Sequence, residues 1–107
     1  MNGWSALLLA GMFEIGFTTC MKLSDNFTQG IYVLGFLICS ISSFFFLNKS
    51  LSEVPLGTAY AIWTGIGAFG TVVIGMVFFK DPISTVRILL LMLLVGSILG
   101  LKLISDK

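Results

Sequence analysis

Four mainly apolar runs, each about 18–24 residues long, divide this chain and leave it almost no other way to fold. They cover roughly residues 4–21, 30–47, 56–79 and 84–104. About 20 apolar residues in a helix cross a hydrocarbon core about 30 Å thick, and backbone groups in lipid must be satisfied within the segment. The breaks are short and polar: Ser24-Asp25-Asn26 after Lys22, Asn48-Lys49-Ser50 leading to Glu53 and Pro55, and Lys80-Asp81-Pro82. The fourth run is the shortest in uncharged residues, since Arg87 stands in its first turn and Lys102 in its last. Both side chains can snorkel to the interface, which keeps the span viable. The expected fold is an all-α membrane protein, a single four-helix transmembrane domain over residues 1–107, with loops too short for a second domain.

Composition supports that reading and excludes others. Charged residues make up 10% of the chain, where soluble domains carry about a quarter, so most of the surface must face lipid or another copy. No His, HExxH, CxxC or Walker pattern is present, and the net charge is +1; metal, cofactor, phosphate and nucleic-acid chemistry have no visible footing, and no nucleophile–base pair suggests an enzyme. The first run lacks a basic leading region and a cleavage signal and is interrupted by an acid, so it is expected to be retained. Cys20 and Cys39 lie inside apolar runs, where small apolar filling is the ordinary role and a disulfide the alternative.

Four spans place the N-terminus, the 48–55 loop and the C-terminus on one side. Lys49, Lys102 and Lys107 fall there, against Lys22, Lys80 and Arg87 on the other. This tie removes the usual orientation signal. It is either noise in a short chain or the mark of a protein that inserts both ways and pairs antiparallel. Four short helices cannot easily enclose a pathway alone, which argues for a dimer. Gly96 and Gly100 form a G-x-x-x-G pair in the fourth run, a spacing that lets helices approach closely, either in a dimer contact or within the chain.

Glu14 is the one ionisable residue deep inside a span. A charged acid at mid-bilayer costs roughly 2.5–3.5 kcal/mol on insertion scales, and no base lies at similar depth. The group is therefore expected to hold a proton, a cationic ligand, or each in turn. Ala10, Gly11, Leu7, Phe17, Thr18 and Met21 share its helical face. Gly11 is expected to leave space beside the carboxylate and Phe17 to supply an aromatic wall. In the second run, Ser43 either bonds back to its own helix or reaches Glu14. In the third, Tyr60 and Trp63 share a face; Trp63 lies deep enough to line a pocket, and aromatic faces attract cations. Gly65, Gly67, Gly70 and Gly75 mark packing sites or a hinge in the same run.

Over essentially its whole length the chain resembles the small multidrug resistance family. The resemblance is carried by Ala10-Gly11-Met12-Phe13-Glu14, by Met21-Lys22, by the run Pro55 to Ala68 (PLGTAYAIWTGIGA) and by Gly100-Leu101-Lys102. It implies a proton-coupled antiporter of the bacterial inner membrane, built as an antiparallel, dual-topology homodimer. Two Glu14 carboxylates would line one site where protons and a small organic cation compete, with Tyr60 and Trp63 lining it and Ser43 hydrogen-bonding the acid. The Trp63-Thr64-Gly65-Ile66-Gly67-Ala68 segment looks like the guanidinium-exporter branch; exporters of polyaromatic and quaternary ammonium cations usually read W-S-G-L-G. That branch typically has Trp where this chain has Phe17, which implies a looser range of cations or one subunit of a heterodimer. Outside transport, a membrane assembly subunit whose Glu14 pairs with a partner's base is the competing class.

Overall fold

The computed structural model describes residues 2–105. Four helices account for most of them: α1 Gly3–Leu23, α2 Gly30–Ser50, α3 Leu56–Phe78 and α4 Thr85–Ser105. All four are long and apolar enough to cross a membrane. A helix of 21 residues rises about 32 Å, close to the hydrocarbon thickness. The first two helices run two or three residues beyond the expected ends, because Lys22 and Lys49 sit inside the last turn instead of ending it. Lys49 lies 5.8 Å from the ring centroid of Phe45, its stem along the helix.

Local chemistry sets the ends. The Asn2 side chain accepts from the Ser5 N–H at 2.8 Å and starts α1. Pro55 precedes α3 and its carbonyl accepts from Ala59 at 2.8 Å. Ser84, expected inside the fourth helix, is instead its cap: its hydroxyl accepts from the Arg87 N–H at 3.1 Å. The α1–α2 turn uses left-handed backbone at Asp25, Asn26 and Phe27. Buried Ser24 holds it, donating to the Met21 carbonyl at 2.7 Å and accepting from the Phe27 N–H at 3.1 Å.

The helices alternate up and down. A side chain on Gly3 would strike Glu53, which places the start of α1 against the α2–α3 turn. Lys102 near the end of α4 lies 4.9 Å from the Trp4 ring at that same end. Lys22 lies 5.9 Å from the Phe79 ring at the other. The charge tie therefore has Lys49 and Lys102 at one end and Lys22, Lys80 and Arg87 at the opposite one; Lys107 lies outside the described residues.

Packing is unequal. α1 is the centre, packed on α2 and on α3; α4 packs along α3 and reaches α1 at Trp4 through Lys102, and α2 barely meets α3. The array therefore reads α2–α1–α3–α4 and measures 45 × 35 × 18 Å, a slab about two helices thick. Leu7, Ala10, Val54, Ala59, Ile62 and Trp63 form its core, with Phe17 and Ile66 packed against them. The outer faces of α2 and α4 stay bare, from Ile31 to Phe45 and from Val86 to Ile104. The two cysteines are free thiols, each filling the notch of a glycine on the other helix: Cys39 at Gly16 and Cys20 at Gly35.

Candidate functional site

Glu14 sits just past the middle of α1, on the side that faces α3. Its carboxylate lies on the bare backbone of Gly67, where any side chain would overlap its oxygen. Oε1 is buried and has no hydrogen-bond partner among the described residues. An unmatched buried carboxylate oxygen is costly and uncommon in folded proteins.

Gly67 is the residue that the sequence reading missed as a site component, having grouped it with three other glycines as hinge or packing positions. Each of the four has its notch filled. A Cβ on Gly65 would lie 2.9 Å from Ile98 Cδ1 of α4, one on Gly70 would strike Ile15, and one on Gly75 would strike Asp81. All four are thus packing positions in a continuous helix, and Gly67 alone packs on the acid. The four-residue match of Gly67 and Thr71 on α3 to Glu14 and Thr18 on α1 was the available signal, but it acquires meaning only once α1 and α3 are known to pair.

Two expectations need correction. Gly11 does not open space beside the carboxylate, because Ile66 fills its notch; a Cβ there would lie 2.6 Å from Ile66 Cγ2 and 2.8 Å from its Cβ. Ser43 bonds neither its own helix nor Glu14. Its buried hydroxyl donates to the Ala10 carbonyl at 2.7 Å and accepts from Trp63 Nε1 at 2.9 Å. The reason is direction: Glu14 turns to α3, whereas Ser43 on α2 meets α1 one turn earlier.

Trp63 is 7% exposed and belongs to the core, with ring centroids 5.5 Å from Phe44 and 5.7 Å from Tyr60. Tyr60 is 57% exposed on the outside of the same helix. Phe17 is half-buried and meets Phe36 of α2 edge-on at 5.8 Å. A cleft of about 440 Å³ between α1, α3 and α4 is lined by Trp4, Leu8, Ile98 and Lys102 among others and does not include Glu14. The cleft is a mainly apolar gap beside the loosely packed α4.

A sequence model of the Small Multidrug Resistance protein family matches residues 2–94. The chain belongs to the small multidrug resistance family. Among its relatives is a protein named guanidinium exporter from Yersinia pseudotuberculosis, 39% identical over 102 residues, covering 95% of this chain and 98% of the relative. Another, a probable guanidinium efflux system subunit from Bacillus licheniformis, is 39% identical over 104 residues with the same coverage. A guanidinium exporter from Proteus vulgaris is 38% identical over 102 residues, again with that coverage. Membership agrees with the four apolar spans: this is a multi-pass protein of the bacterial inner membrane. Within the family frame, the resemblance first read from the third helix coincides with the guanidinium-exporter names of these relatives.

Proposed function

We propose that this protein exports guanidinium or a related small organic cation in exchange for protons, as an antiparallel dimer whose two Glu14 carboxylates form one shared site. The observation that carries this reading is the buried, unmatched oxygen of Glu14 in an otherwise apolar span. Such a group is satisfied either by a proton or by a cationic donor. When both compete for it, binding of one expels the other, and an inward proton gradient drives the cation outward. Guanidinium suits two facing carboxylates because its planar N–H groups bond each bidentately. The relatives' names add support for that substrate class.

The dimer is supported by the shape of one copy. A slab two helices thick, with the apolar faces of α2 and α4 bare, encloses no path by itself. Cβ atoms added at Gly96 and Gly100 would meet nothing within 4 Å, leaving that stripe open to a helix from a partner. The tied charge count suits pairing in opposite orientations. In this reading Tyr60, and Trp63 behind it, wall the shared site, and Ser43 acts by locking the indole of Trp63 instead of contacting the acid. Gly11 serves by letting α3 close on α1. Phe17 favours a second substrate range, since it has no N–H to orient the carboxylate; alkylated guanidiniums and small quaternary ammonium ions would then be accepted.

Cation flux into liposomes holding only this protein tests the reading. Guanidinium, methylguanidinium, tetramethylammonium and a polyaromatic cation are supplied under a proton gradient. Flux of the guanidiniums, lost in Glu14→Gln, is expected. Flux of the polyaromatic cation as well would make the protein a broad drug exporter. No flux of any cation would refute the homodimeric exporter and direct attention to a partner subunit or to the assembly role.

A further inference from the structure

The α1 stripe that carries Glu14 continues at four-residue spacing through Thr18 to Lys22, and the α3 stripe facing it runs Gly67, Thr71, Gly75. The two meet rung by rung. Glu14 lies on Gly67. One turn on, the hydroxyl oxygens of Thr18 and Thr71 are 2.7 Å apart, and Thr18 also donates to the Ile15 carbonyl at 3.0 Å. One turn further, the seam widens into a cavity of about 170 Å³ lined by Thr18, Thr71, Lys22, Gly75 and Asp81 among others. There the Asp81 carboxylate lies on Gly75 as Glu14 does on Gly67. This space is large enough to hold water, and its polar walls give it partners. Toward the other end, the Glu14 face continues as Ala10 and Leu7, 0% and 1% exposed, which close the way with apolar packing. Rungs four residues apart are about 6 Å apart along the axis, so the polar run from acid to charged rim covers about 12 Å.

We propose that this seam is the route by which Glu14 exchanges its proton with water at the end of the α1–α2 and α3–α4 turns, the Thr18–Thr71 pair being the last hydroxyl step before the acid. The proposal rests on the exchange reading above. The titratable and charged groups along the seam are Glu14 and Lys22 of α1 and Asp81 of the α3–α4 connection; α3 itself presents none here. In loading, a threonine turns about χ1, gives up its partner hydroxyl and faces Glu14. A hydronium in the cavity passes a proton to its oxygen while the hydroxyl passes its own proton to Glu14. Water remains in the cavity, the hydroxyl is restored and the carboxylate becomes a carboxylic acid; release is the reverse.

Cation-for-cation exchange at equal pH needs no proton step, so it separates this role from a structural one. Proton-driven guanidinium uptake and guanidinium–guanidinium exchange are measured in parallel in liposomes holding the full chain. Thr18→Val and Thr71→Val keep the shape and remove the hydroxyl, and Thr71→Ser returns it. Uptake is expected to fall at least about tenfold in the valine variants, exchange to stay within about twofold, and serine to recover uptake. Uptake and exchange that fall together, or uptake that survives both valines, or serine that fails to recover it, overturns the seam alone. Wild-type protein that exchanges guanidinium without proton-driven uptake would sink the antiport reading, and the seam with it.

Discussion

Two polar centres lie one helical turn apart on α1 and differ in how they are completed. At Ala10, a chain of bonds from the Trp63 indole through the Ser43 hydroxyl to the carbonyl satisfies every member. At Glu14, one carboxylate oxygen is buried and unmatched. A closed network inside a low-dielectric bundle fixes three helices in register, because breaking any bond strands a partner. In the proposed function, the open one is completed by a proton or a cation that is not part of the chain. The comparison then separates a polar residue that holds the fold from one proposed to bind a ligand.

The sharpest way to break the comparison is Glu14→Gln. Proton-linked cation flux should fall to the level of protein-free liposomes, while thermal unfolding in detergent holds or rises, since a costly buried acid is removed. Flux that survives would mean that Glu14 is not the exchanging group. A paired test on glycines sharpens the same division. Gly67→Ala puts a methyl where the flexible end of Glu14 rests, so the acid is displaced and cation affinity should fall by about tenfold, roughly 1.4 kcal/mol, with the bundle intact. Gly11→Ala meets the branched carbon of Ile66, which is held close to the α3 backbone, and should cost about 1–3 kcal/mol of stability. Isothermal binding and detergent unfolding on both variants would show whether the two effects separate.

Ser43→Ala opens the closed centre, leaving the Trp63 N–H and the Ala10 carbonyl without this partner. Unfolding should register about 1–3 kcal/mol, and flux should fall less than in Gly67→Ala. An equal loss of flux with no loss of stability would return Ser43 to the acid's side of the division. The smallest effect is expected from Phe17→Trp. The ring already meets Phe36 edge-on, and an added indole N–H should shift the ratio of guanidinium to tetramethylammonium transport by only a few-fold, about 1 kcal/mol. Parallel uptake of the two cations measures it.

Much of this was legible before any coordinates. Glu14 identifies itself, because an acid in an apolar span with no base at its depth has few structural uses. The Tyr60–Trp63 pair follows from helical spacing, and the two rings do lie 5.7 Å apart. For Ser43 the spacing offers its own helix or Glu14, and its hydroxyl takes neither, bonding Ala10 and Trp63. Spacing along one helix ranks faces; it does not say which neighbouring helix each face meets. The same limit hid Gly67 among four glycines and made Gly11 look like open space when Ile66 of α3 occupies it. Ser84 shows a smaller version: by composition it belongs to the fourth span, whereas its hydroxyl bond to Arg87 makes it the cap.

Sequence by itself determined that this chain crosses a membrane four times as helices, since apolar length and the need to satisfy the backbone inside lipid leave no other solution. It also singled out Glu14, because the cost of burying a charge is a property of the residue and its depth. Only the tertiary structure decided that α1 is the central helix, that Glu14 turns toward α3 and rests on Gly67, and that Ser43 serves Trp63 and Ala10. Those facts depend on which small residues face which large ones across a helix pair. In a chain apolar on nearly every face, hydrophobicity no longer distinguishes inside from outside, and close packing chooses the neighbours.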